Sequence, residues 1–347
     1  MNIKEEANKL RDKIEKEKAN PIKIALFGQP GAGKSSIINR LVGENVASSG
    51  VTTDKTTEAQ IIEWTYDMIL VDLPGYGTSM FPQNDFFDKF NITDYDLFLC
   101  VFSGKFHKAD TDFFQEIREK GKTALLVRNQ ADMLWQEGKT DDELRDEIRK
   151  DAQKQVKSNE EIYFTSCRTN DGFDELEKAI ETNLEPSKKE RWSRTAKAYT
   201  KEALESKKDA CKSLVKTRAG LAAANALNPI PGVDIAVDIG ILVELFAEIR
   251  RNYGLTDEKI SNPVYIKNLG PIANRILSAS SKEGIIQLLK QFAGRETIKQ
   301  VSKYIPFVGQ AIAASIGYGI TLYAGNSFVD DCHDFAKEIL DHELGYK

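Results

Sequence analysis

The sequence is poor in the residues that bind metals or form disulfide bonds. Only four cysteines and three histidines occur among 347 residues. The cysteines lie far apart and form no CxxC pair, which predicts reduced and mostly buried thiols in a cytosolic protein. No histidine has Cys, Asp or Glu partners at a metal-ligand spacing, so the sequence does not predict a zinc site.

An excess of positive charge and an apolar leader segment are also missing. The net charge of −5 argues against a protein that binds nucleic acid through a basic surface. The N-terminal segment is charged and helix-prone, without an apolar signal core. Asn2 occupies the position at which N-myristoylation requires glycine. We therefore expect a cytoplasmic protein that begins with a solvated helix.

Residues 20–185 show an alternation of strand-like and helix-like runs. Hydrophobic residues make up 41% of the whole chain, and several strand-like runs are continuously apolar, as in a parallel sheet that is buried on both faces. The alternation predicts an α/β domain with a mostly parallel sheet and helices on both faces. The six predicted strands are Ile22–Gly28, Ala59–Trp64, Met68–Gly75, Tyr95–Phe102, Thr123–Asn129 and Glu161–Ser166.

Residues 186–347 show the i, i+3, i+4 spacing of long helices and no strand signal, which predicts a second, all-α domain. Two apolar stretches, 228–249 and 303–329, begin near prolines, as buried helices often do. Tyr304–Val329 contains no charged residue and is long enough to span a bilayer, but the sequence Gly-Asn-Ser at 325–327 should break it. We expect a buried helical hairpin, with peripheral membrane contact as the alternative.

The pattern Gly28-x-x-x-x-Gly33-Lys34-Ser35 follows the first predicted strand and opens a predicted helix, which is the setting of a P-loop. Glycines let backbone N–H groups converge on phosphate oxygens, and the helix adds its positive N-terminal end. Lys34 should contact the β- and γ-phosphates, and the Ser35 hydroxyl should bind Mg²⁺. The alternative is a glycine-rich turn without a ligand. The predicted nucleotide-binding residues here are Gly28, Pro30, Gly31, Ala32, Gly33, Lys34, Ser35 and Ser36.

A second phosphate-site element is Asp-Leu-Pro-Gly at 72–75, where a predicted strand ends. Asp72 can hold the Mg²⁺ shell directly or through water, and the backbone N–H of Gly75 can bind the γ-phosphate. The threonine-rich loop before this strand should provide a hydroxyl that closes over both. Thr52, Thr53, Thr56 and Thr57 are all candidates, and we assign this role to Thr53, which lies just far enough before Asp72 for one short two-stranded hairpin. The alternative for Asp72 is an ordinary aspartate at the end of a strand. The alternative for the threonines is the start of the next strand, where β-branched residues are common. The predicted catalytic residues are Lys34, Ser35, Thr53 and Gly75, and the predicted metal ligands are Ser35, Thr53 and Asp72.

The stretch Asn-Gln-Ala-Asp at 129–132 follows a strand at the place where a nucleotide base is expected. The Asp132 carboxylate would accept hydrogen bonds from guanine N1–H and the exocyclic amine, a donor pair that adenine lacks. Asn129 would fix the loop and reach the base edge. Gln130 replaces the lysine that usually packs over the base and hydrogen-bonds the P-loop backbone, and it can do part of this without a charge. At the next strand end, the backbone at Ser166 and Cys167 would contact the guanine oxygen. A plain loop is the alternative.

These stretches together resemble the immunity-related GTPases, also called interferon-inducible GTPases, and their bacterial relatives. The similarity includes GQPGAGKSSIINRL, DLPGYG, the Val-Arg pair before NQAD, and the C-terminal segments IPGVDIAVDIGILVE and IPFVGQAIAASIGYG. The resemblance implies a Ras-like GTP-binding domain at 20–185 and a helical domain built from both ends of the chain, 1–19 and 186–347. It also implies slow hydrolysis, assembly into dimers or oligomers through the GTP-binding faces, and frequent membrane attachment.

Tyr76 occupies the position where small GTPases often carry a water-orienting glutamine. We therefore expect slow turnover by the monomer and assistance by assembly. The leading hypothesis is a GTPase that oligomerises on GTP and acts at membranes. A GTP-gated interaction scaffold with negligible hydrolysis is the alternative from another class. Membrane remodelling in the dynamin manner is disfavoured, because the helical region is short.

Overall fold

The computed structural model of the chain contains two compact units. A sheet unit comprises Asn20–Lys197, and a mostly helical unit combines Met1–Ala19 with Ala198–Lys347. The structure describes residues 3–47, 59–65, 67–74, 86, 89–225, 229–230, 233–236, 239–292 and 316–345.

Within its described residues, the sheet unit contains six strands: β1 (Ile22–Phe27), β2 (Gln60–Thr65), β3 (Met68–Asp72), β4 (Leu97–Phe102), β5 (Thr123–Arg128) and β6 (Ile162–Phe164). Their order in the sheet is β2-β3-β1-β4-β5-β6. All neighbouring pairs are parallel except β2 with β3. The apolar strands β1, β4 and β5 are almost wholly buried, as expected of parallel strands covered on both faces. The predicted α/β class is confirmed.

The helices with described bounds in this unit are α2 (Lys34–Val42), α3 (Lys108–Glu119), α4 (Asp141–Val156), α5 (Phe173–Asn183) and α6 (Pro186–Thr195). Helix α4 begins with a capping box, in which Thr140 Oγ1 accepts the N–H of Glu143 and the Glu143 carboxylate accepts the N–H of Thr140. Helix α2 follows β1 directly, so the loop between them lies at the carboxyl edge of the sheet, where ligands of such folds bind.

Aromatic rings fill the core between the sheet and α3. Phe27 of β1 and Phe113 of α3 meet edge-on, with ring centroids 4.4 Å apart. Phe86 lies 5.2 Å from the same Phe113 ring. All three rings are essentially inaccessible to solvent, and the burial of each contributes roughly 1.5–3 kcal/mol. This packing fixes α3 against the strand that leads into the phosphate loop.

Helix α6 lies against the amino ends of the strands. Lys188 Nζ donates to Asp96 Oδ1 at 2.7 Å and to the carbonyl oxygen of Pro21 at 3.1 Å. Arg191 Nη2 donates to the carbonyl oxygen of Asn20 at 2.6 Å. Because Asn20 opens the sheet unit and α6 lies near its end, the two ends of this unit are side by side.

A buried carboxylate, Asp67, completes this contact. It directly precedes β3, is 1% exposed, and forms ion pairs with Arg194 and, at 3.7 Å, with Arg191 Nη1. The predicted domain boundary after residue 185 needs correction, because α6 belongs to the sheet unit. Its helical periodicity placed it in the all-α domain, whereas Lys188, Arg191 and Arg194 are buried against Asp67 and Asp96 of the sheet unit.

The helical unit contains α1 (Ile3–Ala19), α7 (Lys201–Asn225), β7 (Pro229–Ile230), β8 (Val233–Ala236), α8 (Ile239–Asn252), α9 (Asp257–Ile260), α10 (Pro263–Ser278), α11 (Lys282–Phe292) and α12 (Ile316–Glu343). Helices α7 and α12 pack closely at Gly325, where a Cβ would lie 2.4 Å from the Val215 side chain. Phe246 of α8 stacks on Phe328 of α12, with ring centroids 4.4 Å apart. Leu10 of α1 reaches α7 at Gly220.

Two expectations for this unit were wrong. The sequence Gly-Asn-Ser at 325–327 does not break a helix, because α12 passes through it and the glycine permits the close approach to α7. The segment 229–236 contributes the antiparallel strands β7 and β8, although no strand signal was seen there. The part of the predicted hairpin at 303–315 lies outside the described residues. Among the described residues, no helix combines the length and apolarity needed to cross a bilayer.

Candidate functional site

Three glycines shape the loop between β1 and α2. Gly28, Gly31 and Gly33 have φ angles of 138°, 83° and 93°, a region that other residues rarely adopt. A Cβ on Gly28 would lie 1.9 Å from the carbonyl oxygen of Val101 in β4. The loop therefore touches the sheet where only glycine fits, and it has the tight curvature of a phosphate-binding loop.

Lys34, Ser35 and Asp72 meet beside this loop. Lys34 Nζ donates to the carbonyl oxygen of Gly28 at 3.0 Å and lies 3.9 Å from Asp72 Oδ1. Ser35 Oγ donates to Asp72 Oδ2 at 2.5 Å. Burial lowers the pKa of Lys34 and raises the pKa of Asp72, while the attraction between their charges opposes both shifts. Asp72 Oδ1 accepts no hydrogen bond from the described residues, so this buried oxygen is available to a cation.

The other predicted residues of the loop lie along the same curve. Pro30 and Gly31 are exposed, Ala32 is buried, and Ser36 is half-buried in the first turn of α2. No acidic residue occupies that first turn, so no carboxylate competes there for the positive end of the helix. The arrangement can bind a multiply charged anion such as a nucleoside diphosphate or triphosphate.

Asn129, which follows β5, joins the predicted base loop to the phosphate loop. Its Nδ2 donates to the carbonyl oxygen of Ala32 at 3.0 Å, and its Oδ1 accepts from Thr165 Oγ1 at 3.3 Å. Gln130 Nε2 reaches the carbonyl oxygen of Gly31 at 3.4 Å. The glutamine thus makes a long, uncharged version of the contact that was expected of the usual lysine.

Asp132 is held by two donors. Ser166 Oγ donates to Asp132 Oδ1 at 2.6 Å, and Arg168 Nε donates to Oδ2 at 2.8 Å. The hydrogen bond from Ser166, supported by Arg168, holds the pKa of Asp132 below its usual range. Burial raises the pKa of Cys167 to about 11, so its thiol stays neutral and donates to Asn129 Oδ1 at 3.5 Å. Asp132 therefore stands as an ionised acceptor at this end of the site.

Two predicted residues, Thr53 and Gly75, lie outside the described residues, as does Tyr76. The remaining predicted residues come together at the carboxyl edge of β1, β3, β5 and β6. The structure thus brings the phosphate loop, Asp72 and the base loop to one edge of the sheet.

Three residues at this edge were missed by the sequence reasoning: Gln29, Asp110 and Arg168. Gln29 is a variable position of the P-loop pattern, and its Nε2 donates to Asp110 Oδ1 at 3.0 Å. Asp110 gave no signal, because an aspartate in the first turn of a helix is ordinarily a solvated residue favoured by the helix dipole. Arg168 directly follows Ser166 and Cys167, and this adjacency was the one available indication.

A family model that matches almost the whole chain identifies its family. The family model described as Interferon-inducible GTPase (IIGP) matches residues 1–342. Interferon-gamma-inducible GTPase 10 of Mus musculus is 25% identical over 350 residues, which cover 93% of this chain and 82% of that protein. Interferon-inducible GTPase 5 of Rattus norvegicus is 25% identical over 353 residues, which cover 92% and 75%. Among solved structures, Aquifex aeolicus Era bound to GDP.AlF4- is 20% identical, with 57% of this chain and 66% of that chain covered and a TM-score of 0.37.

Proposed function

Because this chain belongs to the interferon-inducible GTPase family, we propose that it binds GTP and GDP at the carboxyl edge of its sheet and slowly hydrolyses GTP to GDP and phosphate. One observation carries the proposal. Lys34, Ser35 and Asp72 converge beside a glycine-shaped loop, and Asn129 hydrogen-bonds that same loop from the base side. These contacts support one site in which a phosphate cradle and a base-reading loop are joined.

Asp132 is the proposed guanine reader. Its two carboxylate oxygens accept hydrogen bonds, which suits the paired N–H donors of guanine and not the acceptor that adenine presents at the same position. Ser166 supports this role, because its hydroxyl orients the carboxylate and keeps it ionised. Gln130 lies over the phosphate loop without a charge, so nucleotide affinity should be lower than with the usual lysine.

Mg²⁺ is the proposed cofactor, and the side chains present fit it. A hard divalent cation prefers hydroxyl and carboxylate oxygens, which Ser35 and Asp72 supply within 2.5 Å of each other. Thr53 is the proposed third ligand. The ion would neutralise charge that develops on the phosphates. Among the protein groups, Lys34 would hold the β- and γ-phosphates and the Gly75 N–H would bind the γ-phosphate.

Assembly through the nucleotide-binding face is the proposed way in which hydrolysis is assisted. The face that carries Asp132 also exposes Met133 and Trp135, which are 72% and 82% exposed. Large apolar side chains are often used in contacts between proteins. Peripheral association with membranes from the cytoplasm is proposed on the family precedent alone. Co-sedimentation with lipid vesicles, measured with GTP, with GDP and without nucleotide, tests this proposal.

The test of guanine recognition compares wild type with Asp132→Asn and Lys34→Ala. Asp132→Asn should shift binding from GTP towards xanthosine triphosphate, by roughly 10–100-fold for hydrogen bonds to a charged group, because the amide donates where the carboxylate accepted. Lys34→Ala should weaken all nucleoside triphosphates. Asp142→Asn, an exposed aspartate of α4, is the matched control. A retained preference for GTP in Asp132→Asn would overturn the base assignment.

Phosphate release over a dilution series, with and without Mg²⁺, separates the enzyme from the scaffold alternative. An assembly-assisted GTPase should show a rate per molecule that rises with protein concentration. GTP binding without phosphate release at any concentration would instead identify a nucleotide-gated scaffold.

A further inference from the structure

Arg168 is a charged side chain of the base site to which the proposed function gives no role. Its Nε donates to Oδ2 of Asp132, the proposed guanine reader, at 2.8 Å. Oδ1 of the same carboxylate accepts from Ser166 Oγ at 2.6 Å. Each oxygen of an ionised carboxylate can accept two hydrogen bonds. One side-chain donor on each oxygen therefore leaves each oxygen able to accept one more, which equals the number of N–H donors that guanine presents.

The turn that follows β6 fixes the point from which the Arg168 side chain starts. The Ser166 hydroxyl accepts the backbone N–H of Arg168 at 3.3 Å and that of Thr169 at 3.2 Å. The carbonyl oxygen of Ser166 accepts the N–H of Asn170 at 2.9 Å and closes the turn. The hydroxyl that binds one oxygen of Asp132 thus also holds the backbone of the residue that binds the other oxygen.

Two donors on opposite oxygens have an effect that one donor lacks. The torsion about the Cβ–Cγ bond of an aspartate is broad, so a carboxylate held by Ser166 alone could still turn about that bond. The hydrogen bond from Arg168 to the second oxygen fixes the plane of the carboxylate. The two partners differ in exposure, since the Asp132 side chain is 10% exposed and that of Arg168 is 76% exposed. The arginine therefore reaches from solvent to a carboxylate that is mostly covered.

We propose that Arg168 is a positioning residue that sets base specificity, because it fixes the plane of the Asp132 carboxylate so that both oxygens accept from guanine. The inference rests on the proposed guanine recognition. A carboxylate turned out of the plane of the base still accepts from N1–H with one oxygen, but it loses the second hydrogen bond. The feature of the base that Arg168 selects is therefore the exocyclic amine.

The test compares the affinities of the full chain for GDP and for inosine diphosphate, whose base keeps N1–H and lacks the exocyclic amine. Arg168→Gln removes the charge and should lower the preference for GDP by roughly two- to fivefold, the range in which an exposed ion pair acts. Arg168→Lys keeps the charge and should stay closer to wild type. A loss of stability or of phosphate contacts would lower both affinities alike, so the ratio of the two affinities reports base recognition.

Arg118→Gln is the matched control. Arg118 Nη2 lies 2.8 Å from Glu160 Oε1, and the arginine side chain is 46% exposed. Glu160 precedes β6, so this pair lies at the amino edge of the sheet, whereas the base loop follows the carboxyl ends of the strands. The same substitution at this pair should leave the preference for GDP unchanged.

The salt dependence of the preference tests the same contact without removing a side chain from the wild-type protein. Salt screens ion pairs that are open to solvent, so the preference of wild type for GDP over inosine diphosphate should fall as salt is raised. The preference of Arg168→Gln should not change with salt. Effects of salt on the phosphate contacts are common to both nucleotides and cancel in the ratio.

The proposal is overturned by a wild-type preference in Arg168→Gln, by an equal fall in Arg118→Gln, or by the same salt dependence in wild type and Arg168→Gln. Failure of wild type to bind guanine nucleotides, or a retained preference for GTP in Asp132→Asn, would instead overturn the proposed function itself. The two failures are thereby distinguishable.

Discussion

Replacing Asp67 by alanine should destabilise the sheet unit far more than the removal of an exposed ion pair. The Asp67 side chain is 1% exposed, and it faces Arg191 and Arg194, whose side chains are 5% and 3% exposed. Removing one partner of a buried ion pair costs about 3–5 kcal/mol, because the opposite charge stays buried without its counter-ion. For a unit of this size, the melting temperature should fall by about 6–20 °C, at roughly 2–4 °C per kcal/mol.

Urea unfolding followed by tryptophan fluorescence measures this loss selectively. All three tryptophans of the chain, Trp64, Trp135 and Trp192, lie within the sheet unit, so their signal reports this unit alone. The urea concentration at the midpoint of unfolding should fall, while the dependence of the free energy of unfolding on urea concentration should stay unchanged.

The matched control is Glu147→Ala, which removes the partner of Lys139 from a pair whose side chains are 56% and 30% exposed. This substitution should lower the free energy of unfolding by less than about 1 kcal/mol, because exposed ion pairs contribute little to stability. An Asp67→Ala variant that loses no more than this control would refute the reasoning that the two arginines depend on the carboxylate.

Gln130→Lys should tighten nucleotide binding several-fold, because the side chain gains a charge where it now makes only a 3.4 Å contact with the phosphate loop. Titration with fluorescent GDP measures the affinity, and an unchanged affinity would show that the loop docks differently. Ser166→Ala removes the main cause that holds the pKa of Asp132 down. The pKa of Asp132 should rise towards its ordinary value. Because the ionised form reads guanine, acidification should abolish GDP binding at a higher pH in the variant than in wild type. If both proteins lost GDP binding at the same pH, this role of Ser166 would be contradicted.

The elements that could be predicted from sequence are those whose physical cause is local. Gly28 and Gly33 mark a loop that needs positive φ angles, and continuous apolar runs mark the central strands, since both follow from backbone sterics and burial. The base loop could be found because Asn129 and Asp132 stand in a fixed spacing after β5. These signals are contained within a few neighbouring residues.

The elements that could not be predicted depend on contacts between distant residues. Helix α6 was assigned to the helical domain, since nothing in its own sequence shows that Asp67 and Asp96 neutralise its buried cations. The expected break at Gly325 did not occur, because Val215 of another helix lies against that glycine. Asp110 was missed for the same reason, as its burial is set by how α3 packs on the sheet.

The discontinuous helical unit has a consequence for the order of folding. Helix α1 precedes the whole sheet unit in the chain, whereas its neighbour α7 follows it, so the pairing of α1 with α7 closes a loop that contains that unit. Closing an unfolded loop of this length would cost about 4–5 kcal/mol of chain entropy. The folded sheet unit largely removes this cost, because Arg191 binds the backbone of Asn20 and brings the two exits of the chain together. The sheet unit should therefore fold first, and α1 should pair with α7 only afterwards, even though α1 is synthesised before both.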